Sequence, residues 1–181
     1  MENNNMENSN SKKLAIALFK NPRTAEDVYS NLLNNGYKKD DITVMMSEET
    51  AKRHFLNQDV SKTDPGNKSL QGMGVGGAVG GTIGAIAAAI AALGTSLIIP
   101  GLGIVVAGAL AAGLAGGGAG ALAGGLVGSL IGLGISDEQA KQFEVGIKEG
   151  GVVIGVYTKS LEDYNTLNDQ WKLYQRQEVI I

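Results

Sequence analysis

The chain has 181 residues, a net charge of −3 and a pI near 5.2, a size that suits one compact domain carrying an insertion. That charge balance supplies no basic field of the kind nucleic-acid binding relies on. The absence of cysteine excludes disulfides and thiolate chemistry and fits a reducing compartment.

Residues 1–12 (MENNNMENSNSK) are polar and Asn-rich. They read as a disordered leader without the apolar run of a signal peptide. A short apolar run, Leu14 to Phe19, lies between Lys12-Lys13 and Lys20-Asn21-Pro22 and reads as a buried strand. Thr24-x-x-Asp27 has the spacing of a capping box, and Ala25, Val28, Tyr29, Leu32 and Leu33 recur at helical spacing up to Gly36. Ile42 to Met46 is a second strand, which completes a strand–helix–strand unit. Ser47 is placed to cap a short helix from Glu48 to Leu56. Residues 13–56 thus form the first half of a domain, and the polar stretch 57–69, with Asp64-Pro65-Gly66, links it to the uncharged segment beyond.

From Ser69 to Ser136 there is no Asp, Glu, Lys, Arg or His. Gly72, Gly76, Gly80 and Gly84 fall four apart, and Ala88 and Ala92 continue the row. A second row runs through Gly108, Ala112, Gly116, Gly120, Gly124, Gly128 and Gly132. Spacing of four puts each row on one helical face, so residues 70–134 read as a hairpin of two small-xxx-small helices, 72–98 and 103–133. Pro100, Gly101 and Gly103 make its turn, inside the apolar segment Leu97 to Gly103. Each Gly in an exposed helix interior costs ~1 kcal/mol relative to Ala, whereas in a bilayer the backbone has no competing water and stays helical. Both segments exceed the ~20 residues that span ~30 Å of hydrocarbon. The expectation is a transmembrane hairpin whose glycine rows serve helix packing and self-association. Lys52, Arg53, Lys62, Lys68, Lys141 and Lys148 on its flanks would set the remaining domain in the cytoplasm, at the bacterial inner membrane.

The second half of the domain spans 135–181. Ser136-x-x-Gln139 opens a helix with Ala140, Phe143 and Ile147 on one face, and Gly150-Gly151 ends it. Val152 to Thr158 is a third strand. Ser160-x-x-Asp163 opens a last helix, whose stripe of Tyr164, Leu167, Trp171 and Tyr174 is expected to pack on the domain. Glu178 to Ile181 is a candidate edge strand. The fold class expected from the two halves is α+β, a small ferredoxin-like domain split by the Gly/Ala-rich hairpin.

No catalytic, metal-binding or cofactor-binding constellation emerges. Gly72-x-Gly74-x-x-Gly77 has the letters of a dinucleotide fingerprint but neither a strand before it nor an acid about 20 positions later. His54, the one histidine, reads as a surface residue on a short helix. Paths for ions need polar or charged lining, and the hairpin offers only Thr82, Thr95, Ser96 and Ser129.

The segment LAIALFKNPRTAEDVYSNLLNNGYKKDDITVMM resembles the heat-induced general-stress-protein domain of YflT type. The stretch from LIIPGLGIVVAGALAAG to ISDEQAKQFEVGIKEGGVVIGVY is similar to bacterial general-stress and low-temperature-induced proteins with a glycine zipper. Together these cover roughly residues 13 to 158. The resemblance implies a stress-associated bacterial protein and carries over no catalytic residue. The function expected is therefore non-enzymatic: a membrane-associated stress protein with lipid and further copies of itself as partners, without nucleic acid and with no small-molecule substrate identified. The alternatives are a soluble self-assembling oligomer with a Gly/Ala helical core and a ligand-binding sensory module.

Overall fold

The structure, a computed structural model, describes residues 13–56, 84, 86, 97–99, 103–111 and 119–178. Its centre is a five-stranded antiparallel sheet in the order β1-β5-β2-β4-β3. The strands are β1 (Leu14–Phe19), β2 (Ile42–Ser47), β3 (Leu97–Ile99), β4 (Ile104–Ala107) and β5 (Val152–Tyr157). The α+β class is as expected. β1 and β2, joined through helix α1 (Pro22–Asn34), run the same way but do not touch, because β5 lies between them with Leu14 opposite Tyr157 and Met46 opposite Val152. In the same manner β4 and β5 flank β2, with Ser47 opposite Ile104. The strand–helix–strand unit is therefore a split one.

Both faces of the sheet are covered. One carries α1 and the C-terminal helix α5 (Leu161–Glu178): Phe19, Val44, Met46, Ile154 and Val156 meet Val28, Tyr29, Leu32, Leu167 and Trp171. The other carries α3 (Ala119–Gly132) and α4 (Asp137–Lys148): Met45, Ile104, Val106 and Val153 meet Leu126, Leu130, Phe143 and Ile147. Two-sided burial explains why β2, β4 and β5 read as continuous apolar runs, since both faces of these strands are buried up to their last residues, Ser47 of β2 and Tyr157 of β5.

Helix starts follow local chemistry. Ser47 Oγ accepts the Thr50 N–H at 3.0 Å, Ser136 Oγ accepts that of Gln139 at 3.3 Å, and Ser160 Oγ accepts that of Asp163 at 3.1 Å. The helix opened by Ser47, α2 (Glu48–Thr50), continues as a π-helix over Ala51–Leu56. Helix α1 starts earlier than Thr24: Asn21 is its cap, with Oδ1 accepting the Arg23 N–H, and Pro22 stands at its first position. Proline has no N–H to lose there and its φ is already helical. Gly36, at φ +78, ends α1 as expected.

The uncharged stretch departs most from expectation. Instead of the far turn of a helical hairpin, Leu97–Ile99 and Ile104–Ala107 are paired strands that extend the sheet, with Leu97 opposite Val106. Their β-branched content, Ile98, Ile99, Ile104, Val105 and Val106, favours the pleat over a helix. A single helix over 103–133 is likewise corrected. Gly108 leaves β4 at φ +92, and Gly125 (φ 59, ψ −149) breaks the winding inside α3. Among the described residues no helix is long and apolar enough to cross a membrane. Glu178 belongs to α5 and not to a strand. The linker 57–69, most of the first helical segment and residues 179–181 lie outside the described residues.

Candidate functional site

Two features of the molecule bear on function: the glycine rows, and a polar hollow where three turns of the chain meet. Of the first row, Gly72, Gly76 and Gly80 lie outside the described residues. Gly84 sits against α1, where a Cβ would come within 2.8 Å of the Glu26 carboxylate. That carboxylate accepts the N–H of Ile86, which is fully buried in the α1–α5 core. The packing at Gly84 is thus glycine against the Glu26 carboxylate of α1.

Of the second row, Gly108 has a fold-making role. A Cβ there would lie 1.8 Å from the Ile42 carbonyl oxygen, and the turn it permits lets Leu110 N–H reach the buried Thr43 Oγ1 at 2.9 Å. Gly116 lies outside the described residues, and Gly120 belongs to α3. Gly124 and Gly132 are exposed and Gly128 is half-buried; a methyl group added at Gly124 or Gly132 would meet no atom of the described residues within 4 Å. Gly125 interrupts the helix and separates Gly120 and Gly124 from Gly128 and Gly132, which share a helical face with the exposed Ile131 beside it. The inner side of the same helix holds Leu126 and Leu130, fully buried, and Ser129, whose hydroxyl donates to Gly125 O at 2.8 Å. Of the turn residues, Gly103 (φ +59) stands between β3 and β4, while Pro100 and Gly101 lie outside the described residues.

The hollow, of about 300 Å³, forms where the β1–α1, β2–α2 and α4–β5 turns converge. Lys20 comes from the first turn, Ser47 and Thr50 from the second, and Lys148 and Glu149 from the end of α4, with Arg53 and His54 from the π-wound segment. Thr50, buried, joins two of these turns: its Oγ1 lies 2.8 Å from Ser47 Oγ and donates to Gly150 O at 3.4 Å. Arg53 pairs with Glu49, both exposed, and the exposed Lys148 pairs with the half-buried Glu144. In the β1–α1 turn, the N–H groups of Lys20 and Asn21 donate to the two carboxylate oxygens of Glu178, at 2.9 and 3.1 Å. His54 is exposed, as read from the sequence, with its ring tilted against that of Phe55. Among the described residues no group of His, Cys, Asp and Glu is arranged to hold a metal ion.

The shifted titrations lie elsewhere and belong to the fold. Burial, with the hydrogen bond its hydroxyl donates to Asp163 at 2.9 Å, pushes Tyr37 up to about 12. Lys159 lies over the Tyr37 ring and donates to Asn35 O and Gly36 O, fastening the end of α1 to the start of α5. Tyr29 is raised further by burial and by the charges of Glu26 and Asp40; its hydroxyl is buried without a partner among the described residues. Sequence reasoning missed the hollow because its parts are a lysine, two hydroxyls and a helix end drawn from three separate parts of the chain. The Ser47 cap was the one local signal pointing to it.

No protein-family model, curated protein or solved structure matches this chain.

Proposed function

We propose that this chain is a non-enzymatic protein of the bacterial stress-protein type that acts by self-association through its uncharged stretch. The observation that carries this reading is the outer side of α3, where Gly128, Ile131 and Gly132 reach the surface of a helix that has no charged residue. The inner side of that helix is already satisfied by the sheet, so the apolar character of Leu126 and Leu130 needs no lipid to explain it. A glycine face of this kind lets a second helix approach closely, and an uncharged face shared by identical copies suits a two-fold pairing. The split arrangement of β1, α1 and β2 around β5 supports a ferredoxin-like description of the platform.

Membrane association is the second reading. It rests on Ser69 to Ser96, uncharged throughout and carrying the row Gly72, Gly76, Gly80 and Gly84. In that reading the sheet domain faces the cytoplasm at the inner membrane and lipid joins further copies as a partner.

One preparation separates the two. Purified without detergent, the protein sediments as a defined oligomer, and Gly128→Leu with Gly132→Leu converts it to a folded monomer. A wild-type protein that is monomeric at all concentrations overturns self-association. Retention in the membrane fraction through a carbonate wash, by wild type and double variant alike, would establish the lipid reading in its place.

A further inference from the structure

We propose that the hollow around Lys20, Thr50 and Arg53 is a binding site for a small phosphate-bearing anion. The inference is independent of how α3 associates. Three cations reach this hollow from three separate parts of the chain: Lys20 from the β1–α1 turn, Arg53 from the π-wound segment and Lys148 from the end of α4. Two hydroxyls, of Ser47 and Thr50, lie on the same wall. Those hydroxyls are engaged with each other and with Gly150 O, so the donors are the ammonium and guanidinium groups, which match an anion that offers several oxygens at once, as phosphate does.

The wall holds two carboxylates, Glu49 and Glu149, against these three cations, and among the described residues the Lys20 ammonium is paired with no carboxylate. Glu49 is engaged by Arg53, and Lys148 is engaged by Glu144, which lies outside the hollow. The Arg53–Glu49 pair is exposed, and exposed pairs exchange partners at little cost. Glu149 is the remaining carboxylate on the wall. Winding also contributes, because consecutive residues, Arg53 and His54, both line the hollow, and the segment that carries them is a π-helix. Such widened turns recur at functional sites.

A second observation comes from the protein's own anion. Glu178, at the end of α5, crosses to the β1–α1 turn and places its two carboxylate oxygens on the N–H groups of Lys20 and Asn21. This turn therefore already holds an oxyanion on the backbone of Lys20, a residue that lines the hollow. The volume, about 300 Å³, is at the lower end of the range for small-ligand sites and exceeds what a bare phosphate fills, so the ligand class is a small phosphate ester.

The test uses the full-length chain, with inorganic phosphate and pyrophosphate as probes and backbone amide shifts as the readout. Saturating shifts at Lys20, Ser47, Thr50, Arg53 and Gly150 are expected. Lys20→Ala and Arg53→Ala each weaken binding about tenfold, while Lys172→Ala, on the exposed side of α5, leaves it unchanged. Glu178→Gln removes the competing charge and tightens binding. Circular dichroism confirms that each variant is folded. Shifts that never saturate, or equal affinity in wild type, Lys20→Ala and Arg53→Ala, overturn the assignment. So does a Glu178→Gln variant that binds no more tightly than wild type.

Discussion

Helices α3 and α4 lie side by side on one face of the sheet, and they solve the problem of the outer surface in opposite ways. Inwardly they are alike: Leu126 and Leu130 of α3 and Ala140 and Ile147 of α4 are all fully buried in one cluster. Outwardly α4 presents Asp137, Glu138, Lys141 and Lys148, with i,i+4 pairs from Lys141 to Asp137 and from Lys148 to Glu144. Helix α3 presents Gly124, Ile131 and Gly132. A helix finished for water has polar residues outside; α3 has none, although its inner face is as well packed as that of its neighbour. The difference teaches that the uncharged stretch cannot be explained by one environment. Part of it is core, and part is a surface of another kind.

The largest effect expected from this comparison falls on the glycine that neither helix shares. Gly108→Ala forces a Cβ onto the Ile42 carbonyl and a side chain into positive φ, and is expected to destabilise by about 4 kcal/mol or more. Urea denaturation would read it; a loss below about 1 kcal/mol would mean that the Gly108 turn is not a fixed part of the sheet. Leu130→Ala comes next, at about 2–5 kcal/mol. A much smaller cost would show that α3's inner face is not core, and the similarity of the two helices would fail.

A third expectation concerns the opposite face of the sheet and serves as a control. The Tyr37 value is raised above that of the unfolded chain, so its contribution is complete below pH 10 and is lost as the pH rises toward about 12. Tyr37→Phe should cost about 1 kcal/mol at neutral pH through the lost bond to Asp163. It should also flatten the alkaline limb of the stability profile between those two values, while leaving the oligomeric state unchanged. An alkaline limb identical in wild type and variant would assign that pH dependence to other groups.

The smallest effect is the most discriminating. In an exposed helix Gly132→Ala should stabilise the isolated chain by about 0.5–1 kcal/mol. If α3's outer side packs on another copy, the same change weakens association while raising the melting temperature of the monomer. On α4, Gln142→Ala, at an exposed position, should alter neither association nor stability by more than about 0.5 kcal/mol. Equal behaviour of the two substitutions would remove the contrast between the helices.

Much of the fold was legible before the structure. Leu14–Phe19, Ile42–Met46 and Val152–Tyr157 are strands because short β-rich apolar runs sit between turn residues. The capping serines at 47, 136 and 160 stand where helices begin. The stripe on α5 packs on the domain, with Trp171 edge-on to Phe19 at 5.9 Å. The strands at Leu97–Ile99 and Ile104–Ala107 were hidden because they lie between two small-residue rows, one ending at Ala92 and the other beginning at Gly108. Four-residue spacing suggests a helix only where the chain is continuously helical, and Gly108 and Gly125 take backbone conformations that end that continuity. The hollow was illegible for another reason: nothing in the neighbourhood of Lys20 in the sequence announces Arg53, Lys148 or Glu178.

Local chemistry in the sequence was sufficient to determine where strands and helices begin, that the chain is α+β, and that one long stretch avoids charge. Spacing, caps and turn residues act over a few positions, and a linear reading captures them. What only the tertiary structure decided is how that uncharged stretch is divided. Pairing of β4 with β2, and burial of Leu126 and Leu130 against the sheet, depend on partners up to about 80 positions away, and burial on both sides of a sheet removes charge from a sequence just as lipid does.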